Sequence, residues 1–127
     1  MGATGPLVAR KWAAVMRRTR AQGRKDSNHK ELVDYWRGLN GSWQDTCEIT
    51  GALDGIAGAH GIDVRVEIKD GNKPRSDRRL TPAEIKTMFE WKGRKPVVWE
   101  STSDCDATKL MLYRESLLLG HTGMIYE

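Results

Sequence analysis

Apolar residues recur three or four positions apart in two stretches near the start of this 127-residue chain. In residues 7–22 these positions include Trp12 and Val15, and Gly23 ends the pattern. Residues 28–39 repeat the spacing. Because this spacing places the apolar side chains on one side of a helix, both stretches are predicted to form amphipathic helices.

Strict alternation replaces the helical pattern at residues 62–69, where four Ile and Val positions alternate with Asp, Arg, Glu and Lys. A period of two indicates a strand with one buried face. The turn residues His60 and Gly61 join it to the glycine-containing stretch 52–58, so the two stretches are predicted to form a hairpin. Residues 96–99, Pro-Val-Val-Trp, predict a further strand.

The rest of the chain predicts a charged loop and two helices. Residues 70–80 are rich in charge and contain Gly, Asn and Pro, which is typical of a loop. Residues 81–84, Thr-Pro-Ala-Glu, combine a capping hydroxyl, a proline at the first helical position and a glutamate three residues after the cap. They predict a helix that ends at about Trp91, and residues 104–119 predict the last helix. This order of elements predicts an α/β fold of mixed α+β type.

The composition is that of one globular domain, with 39% hydrophobic residues and 30% charged residues of both signs. No stretch has the length of a membrane span or the pattern of a secretory signal, so we expect no membrane partner and a cytoplasmic location. Cys47 and Cys105 lie too far apart to resemble a disulfide framework or a zinc site. Both are expected to be reduced and to pack in the core.

Charge is concentrated in two basic clusters, within a net charge of +4. The N-terminal cluster has seven basic residues and no acid: Arg10, Lys11, Arg17, Arg18, Arg20, Arg24 and Lys25. The second, called the basic loop below, comprises Lys73, Arg75, Arg78 and Arg79. Such clusters suit the phosphates of a nucleic acid, and they equally suit helix faces or loops that are simply solvated. The five tryptophans are expected to anchor the core or an interface, and spacing does not identify which of them could stack on an unpaired base: Trp12, Trp36, Trp43, Trp91 and Trp99.

The best predicted strand also carries the candidate chemistry. Glu67 and Lys69 lie two residues apart, so they share one face, and the hairpin brings Asp54 towards them. Two carboxylates, a lysine and the carbonyl of Ile68 would then surround one point. Mg²⁺ prefers such oxygen ligands, lowers the pKa of a bound water and neutralises a scissile phosphate, while Lys69 could orient the nucleophile or stabilise negative charge.

These residues also carry a family resemblance. Leu53-Asp54 followed by Glu67-Ile68-Lys69 resembles the signature of the PD-(D/E)XK nucleases, with leucine in place of the usual proline. A longer ordered set is similar to small phage and prophage nucleases related to the VRR-NUC group, over roughly residues 24–100. That set is Gly51 to Gly58, Val66 to Gly71, Lys73-Pro74, Arg79 to Glu84, and Trp91.

The resemblance implies a restriction-endonuclease-like core, in which a mixed central sheet is flanked by helices. It implies one nuclease domain over residues 1–127, with a basic N-terminal helix at 1–23, the core at 24–100, and a C-terminal helix and tail at 101–127. The implied activity is that of a Mg²⁺-dependent endodeoxyribonuclease of phage type in a bacterial cytoplasm, for which Mn²⁺ substitutes. It would act as a homodimer on branched, flapped or junction DNA.

The implied site residues fall into two groups. The catalytic set is Asp54, Glu67 and Lys69, and the metal ligands are Asp54, Glu67, Ile68 and Glu31. The nucleic-acid-binding residues are expected from the two basic clusters rather than from the resemblance, and they are Lys73, Arg75, Arg78, Arg79, Arg17 and Arg18.

Two alternatives remain open from the sequence. Glu31 matches the acidic residue that often completes the metal site from the first core helix, but Asn28 and Glu31 also have the spacing of a capping box. The whole chain could equally be a nucleic-acid-binding or interaction protein that keeps the nuclease fold without turnover. Retention of Asp54, Glu67 and Lys69 favours the enzyme.

Overall fold

The computed structural model describes residues 27–120. The predicted helix over residues 7–22, with Arg17 and Arg18, lies outside the described residues. Within them the elements follow in this order: α1 (His29–Gly38), β1 (Ser42–Asp45), β2 (Gly55–Ala59), β3 (Ile62–Ile68), a 3₁₀ helix (Arg75–Arg78), α2 (Pro82–Glu90), β4 (Val97–Trp99) and α3 (Thr102–Leu119).

The strands form one mixed sheet in the order β1-β2-β3-β4. The β1/β2 and β2/β3 pairs are antiparallel, and β3 pairs with β4 in parallel, with Glu67 opposite Val98. The mixed α+β class predicted from the sequence is confirmed. No helix within residues 27–120 is long and apolar enough to cross a membrane.

The predicted hairpin is formed by β2 and β3. His60 and Gly61 make its turn with φ of 55° and 80°, the left-handed values that a two-residue hairpin turn of type I′ requires. Glycine reaches such values without a Cβ penalty, whereas His60 adopts a conformation that few non-glycine residues use. The short turn fixes the register, which pairs Gly55 with Val66.

The core lies between one face of the sheet and helices α1 and α3. Val64, Val66 and Ile68 of β3 are at most 2% exposed and pack with Trp36 of α1 and Trp99 of β4. Both indoles satisfy their N–H groups: Trp36 donates to the carbonyl of Ser42 at 2.8 Å, and Trp99 donates to the hydroxyl of Thr108 at 2.9 Å. The two cysteines are free and buried, as expected.

Helix α2 covers the opposite face of the sheet and has no buried residue. Three polar or cationic contacts hold it there. They join Glu84 to Lys69, the Thr87 hydroxyl to the carbonyl of Gly51, and Trp91 to Arg65.

The structure differs from the sequence prediction at four places. The first hairpin strand begins at Gly55 rather than at residue 52, so Asp54 lies just before the strand and not on it. β1 was not predicted, because at this sheet edge three of its four residues are exposed and no apolar alternation marks it. The predicted loop at residues 70–80 contains the 3₁₀ helix. Helix α3 begins two residues before the predicted Asp104, because Ser101 caps it and Asp104 completes the capping box.

Candidate active site

Strand β3 presents its polar side chains on the face covered by α2. Val66 and Ile68 point into the core, so Glu67 and Lys69 emerge on the other side, as the alternating pattern predicted. The backbone N–H of Lys69 donates to the carbonyl of Trp99 at 2.9 Å, which extends the pairing with β4 beyond the end of β3. The ammonium of Lys69 lies 3.6 Å from the Glu67 carboxylate.

Asp54 reaches this pair from the residue just before β2. Its Oδ2 accepts a hydrogen bond of 2.7 Å from the backbone N–H of Ile68, the residue between Glu67 and Lys69. The structure therefore brings together the three residues expected to be catalytic. At Ile68 the contact with Asp54 is made by the N–H group, whereas the sequence pointed to its carbonyl as a metal ligand.

Glu84 is a fourth member of this cluster that the sequence interpretation did not assign to the site. Its Oε1 lies 3.0 Å from the Lys69 ammonium. The same oxygen accepts from the backbone N–H of Thr81 at 2.8 Å, and the Thr81 hydroxyl accepts from the Glu84 N–H at 3.1 Å. The capping box at the start of α2 thus fixes the carboxylate that holds Lys69.

The electrostatics of the cluster centre on Glu67, whose side chain is 8% exposed. Burial, the negative charge of Asp54 and a hydrogen bond to Glu84 together raise its pKa to about 10, against the opposing charge of Lys69. Burial alone would also raise the pKa of Glu84, but hydrogen bonds from Glu67, Thr81 and Lys69 lower it. The two carboxyl groups therefore share a hydrogen bond in which Glu67, whose pKa is raised, is the donor and Glu84, whose pKa is lowered, is the acceptor.

The donor set suits Mg²⁺ in number and type, because Mg²⁺ usually takes one or two carboxylates and fills its other positions with water and phosphate oxygens. Asp54 and Glu67 supply two carboxylates at adjacent strand ends. Within residues 27–120 no group of three or more His, Cys, Asp and Glu side chains is arranged to hold a metal ion. A cation at this point would be held by the carboxylates of Asp54 and Glu67, with water or phosphate oxygens at its other positions.

Glu31 lies exposed on α1 and lines a cavity of about 360 Å³ together with Asn28, Asn72 and Glu100. The capping role open to Asn28 from its sequence spacing is not seen, because its side chain makes no cap hydrogen bond. The Asn28 amide instead donates to the carbonyls of Lys69 at 3.1 Å and Glu100 at 3.3 Å. The start of α1, one turn from Glu31, is thereby tied to the backbone of Lys69.

The basic loop begins shortly after Lys69 and is anchored by Asp70. The Asp70 carboxylate accepts from the hydroxyl of Ser27 at 2.8 Å and the N–H of Asn72 at 2.9 Å, and these bonds lower its pKa. Arg78 pairs with Glu100 at 3.2 Å, so its guanidinium is already engaged. The other three members of the loop are exposed: Lys73, Arg75 and Arg79.

Comparison with known proteins found no match to any family model, curated protein or solved structure. What the chain does is therefore inferred from its own residues and their geometry.

Proposed function

We propose that this chain is a metal-dependent endonuclease that hydrolyses phosphodiester bonds in DNA. One observation carries the proposal. Asp54, the residue just before β2, accepts a hydrogen bond from the backbone N–H that lies between Glu67 and Lys69 on β3. Two carboxylates and an ammonium therefore converge on one face of the sheet. Two carboxylates and a lysine ammonium held in this way meet the requirements of cation-assisted phosphodiester hydrolysis.

Each residue has a distinct task in this proposal. Asp54 and Glu67 hold Mg²⁺ or Mn²⁺, and the carbonyl of Ile68 and the carboxylate of Glu31 are further ligand candidates. When bound, the cation supplies a more acidic water and neutralises charge on the phosphate. Lys69, whose ammonium lies between Glu67 and Glu84, turns to donate to the attacking oxygen or a phosphate oxygen when substrate binds.

The architecture supports a restriction-endonuclease-like core. A mixed sheet has helices on both faces, and the acidic cluster lies where β3 ends and β2 begins. The basic loop begins four residues after Lys69, which suits contacts with the DNA backbone that flanks the scissile bond. The phage origin, the homodimer and the preference for branched, flapped or junction DNA rest on the sequence resemblance alone.

A second candidate is a nucleic-acid-binding protein without turnover. It is favoured by the internal contacts of the cluster, in which the Lys69 ammonium lies against both Glu67 and Glu84. For catalysis these internal contacts must open when the cation enters. A binding protein would keep them closed in the presence of Mg²⁺.

A cleavage assay decides between the two candidates. The purified chain is incubated with single-stranded, duplex, flapped and branched DNA, each with Mg²⁺, Mn²⁺ or excess chelator. The endonuclease proposal predicts cleavage of at least one substrate in either metal and none in chelator. Binding without cleavage in any metal would support the second candidate.

A further inference from the structure

Trp91 differs from the tryptophans of the core in that it lies on the face of the sheet that carries the catalytic cluster. Its side chain is 40% exposed, whereas Trp36 and Trp99 are 0% exposed. It follows the last residue of α2, and its backbone N–H donates to the carbonyl of Thr87 at 3.2 Å. Its position is therefore set by the same helix that places Glu84 against Lys69.

The indole of Trp91 is held on one face and along one edge. The Arg65 guanidinium carbon lies 4.2 Å from the ring centroid, within the range of a cation–π contact. Gly93 approaches the ring edge so closely that a Cβ there would lie 2.9 Å from the indole Nε1. An aromatic ring fixed in this way and still partly exposed loses little conformational entropy when a second flat group stacks on it.

Arg65, which packs on Trp91, lies on the same strand as the catalytic cluster. Arg65 precedes Glu67 by two residues on β3, so their side chains leave the same face about 6 to 7 Å apart. This separation is close to about two rises of 3.4 Å along a stacked nucleic-acid strand. Because Trp91 packs on the Arg65 side chain, a strand with a phosphate at Glu67 and Lys69 can bring a nearby base to Trp91.

The charge around Trp91 is also that of a nucleic-acid surface. Residues 85–95 contain four basic residues, Lys86, Lys92, Arg94 and Lys95, against the single acid Glu90. Arg94 pairs with Glu115 at 2.9 Å, while Lys86 and Lys92 are exposed. A second copy of the chain would bring the same positive charge to this surface, whereas a phosphate backbone is complementary to it.

We infer that Trp91, supported by Arg65, is a stacking platform for an unpaired base, and that the site takes a substrate with single-stranded nucleotides beside the scissile bond. Bases inside a duplex have both faces covered by neighbouring base pairs, whereas an unpaired base has a free face that can stack on the indole. This inference rests on the proposed function for the position of the scissile bond. The stacking itself needs only nucleic-acid binding.

The test compares two ligands of the same sequence in Ca²⁺: a single strand that carries one 2-aminopurine, and the corresponding blunt duplex. Affinity is measured by fluorescence anisotropy, and stacking by quenching of the 2-aminopurine. The variants are Trp91→Leu and the conservative Trp91→Phe. Tyr113→Leu is the matched control, because it removes an aromatic side chain that is 47% exposed on α3.

We expect Trp91→Leu to weaken single-strand binding by about fivefold or more and to remove the quenching, with duplex affinity unchanged. Trp91→Phe should retain most of the single-strand affinity and most of the quenching, and Tyr113→Leu should match the wild type in both measurements. The inference is overturned if Trp91→Leu keeps its single-strand affinity and quenching, or weakens both ligands equally. It is also overturned if the wild type binds no nucleic acid, or if Trp91→Leu instead dissociates a dimer.

These outcomes separate the inference from the proposed nuclease activity. A wild type that binds and quenches but never cleaves in Mg²⁺ or Mn²⁺ would refute the endonuclease and leave the platform in place. Suppose instead that the wild type cleaves DNA and that Trp91→Leu has the same ratio of single-strand to duplex affinity as the wild type. This result would refute the stacking platform but not the endonuclease.

Discussion

The ammonium of Lys69 lies 3.0 Å from Oε1 of Glu84, a residue that also completes the capping box of α2. The carboxylate that caps the helix is thus the one that positions the lysine. Because Glu84 also accepts a hydrogen bond from Glu67, the start of α2 is coupled to both polar residues of the strand. The position of this helix therefore determines the geometry of the cluster.

Substitution of Glu84 should separate its two roles. Glu84→Gln keeps a side-chain oxygen for the N–H of Thr81, so the cap survives and the melting temperature should change little. The charge that holds Lys69 is removed, and we expect the single-turnover cleavage rate to fall by about tenfold. Glu90→Gln, at the other end of α2, is the control. A rate equal to wild type for Glu84→Gln would show that Glu84 acts only as a cap.

Metal dependence should follow from the oxygen-only donor set. We expect cleavage in Mg²⁺ or Mn²⁺ and none in excess chelator, because Asp54 and Glu67 offer hard ligands and no thiolate or imidazole. Ca²⁺ should support DNA binding better than turnover, since its looser coordination positions the attacking water poorly. The measurement is a cleavage time course in each metal. Undiminished cleavage in excess chelator would rule out the metal-dependent mechanism.

The raised pKa of Glu67 should make stability depend on pH. Burial and the charge of Asp54 raise this pKa from 4.5 to about 10 in the folded chain. Between these values the folded state holds a proton that the unfolded state has released, so stability falls as pH rises through this window. The pKa of Glu84 is lowered in the folded chain, so at pH values below this window the stability of the folded state decreases as pH falls.

Glu67→Gln tests this dependence, because the amide cannot ionise and still donates a hydrogen bond to Glu84. Without divalent cations at pH 9, it should melt about 4 °C or more above the wild type. The difference should shrink towards pH 4. Glu48→Gln, which removes an exposed carboxylate, is the control. Parallel melting curves for wild type and Glu67→Gln from pH 4 to pH 9 would contradict the assignment of the proton to Glu67.

The basic loop should govern DNA affinity rather than the chemical step. Arg75 and Arg79 are exposed, whereas Arg78 pairs with Glu100, so the double variant Arg75→Ala/Arg79→Ala removes charge without breaking that ion pair. We expect weaker binding and a salt slope reduced by about one unit for each phosphate that the loop no longer neutralises, with cleavage at saturating DNA retained. Arg17→Ala/Arg18→Ala provides the comparison for the N-terminal cluster. Unchanged affinity and slope in the loop variant would identify the loop as solvated surface.

The sequence predicted those parts of the fold and site that follow from short repeating patterns. Alternation along β3 predicted that Glu67 and Lys69 share a face, and the two-residue turn predicted the hairpin that brings Asp54 near. Edge strand β1 was missed because three of its four residues are exposed, so its sequence shows no alternation of apolar and polar residues. Glu84 was missed because a capping box explains a glutamate at that position, and only the packing of α2 on the sheet shows its contact with Lys69.

The proposed catalytic role of the cluster is tested most directly by cleavage rates of the wild type, Asp54→Ala, Glu67→Ala and Lys69→Ala, measured in single turnover with saturating Mn²⁺. All three groups act on one transition state, so each substitution should nearly abolish cleavage, and combining them should add little further loss. Melting curves and DNA affinity in Ca²⁺ confirm that each variant is folded and binds. Three variants that bind DNA but do not cleave it are the result we predict, and wild-type cleavage by Asp54→Ala would contradict the proposed active site.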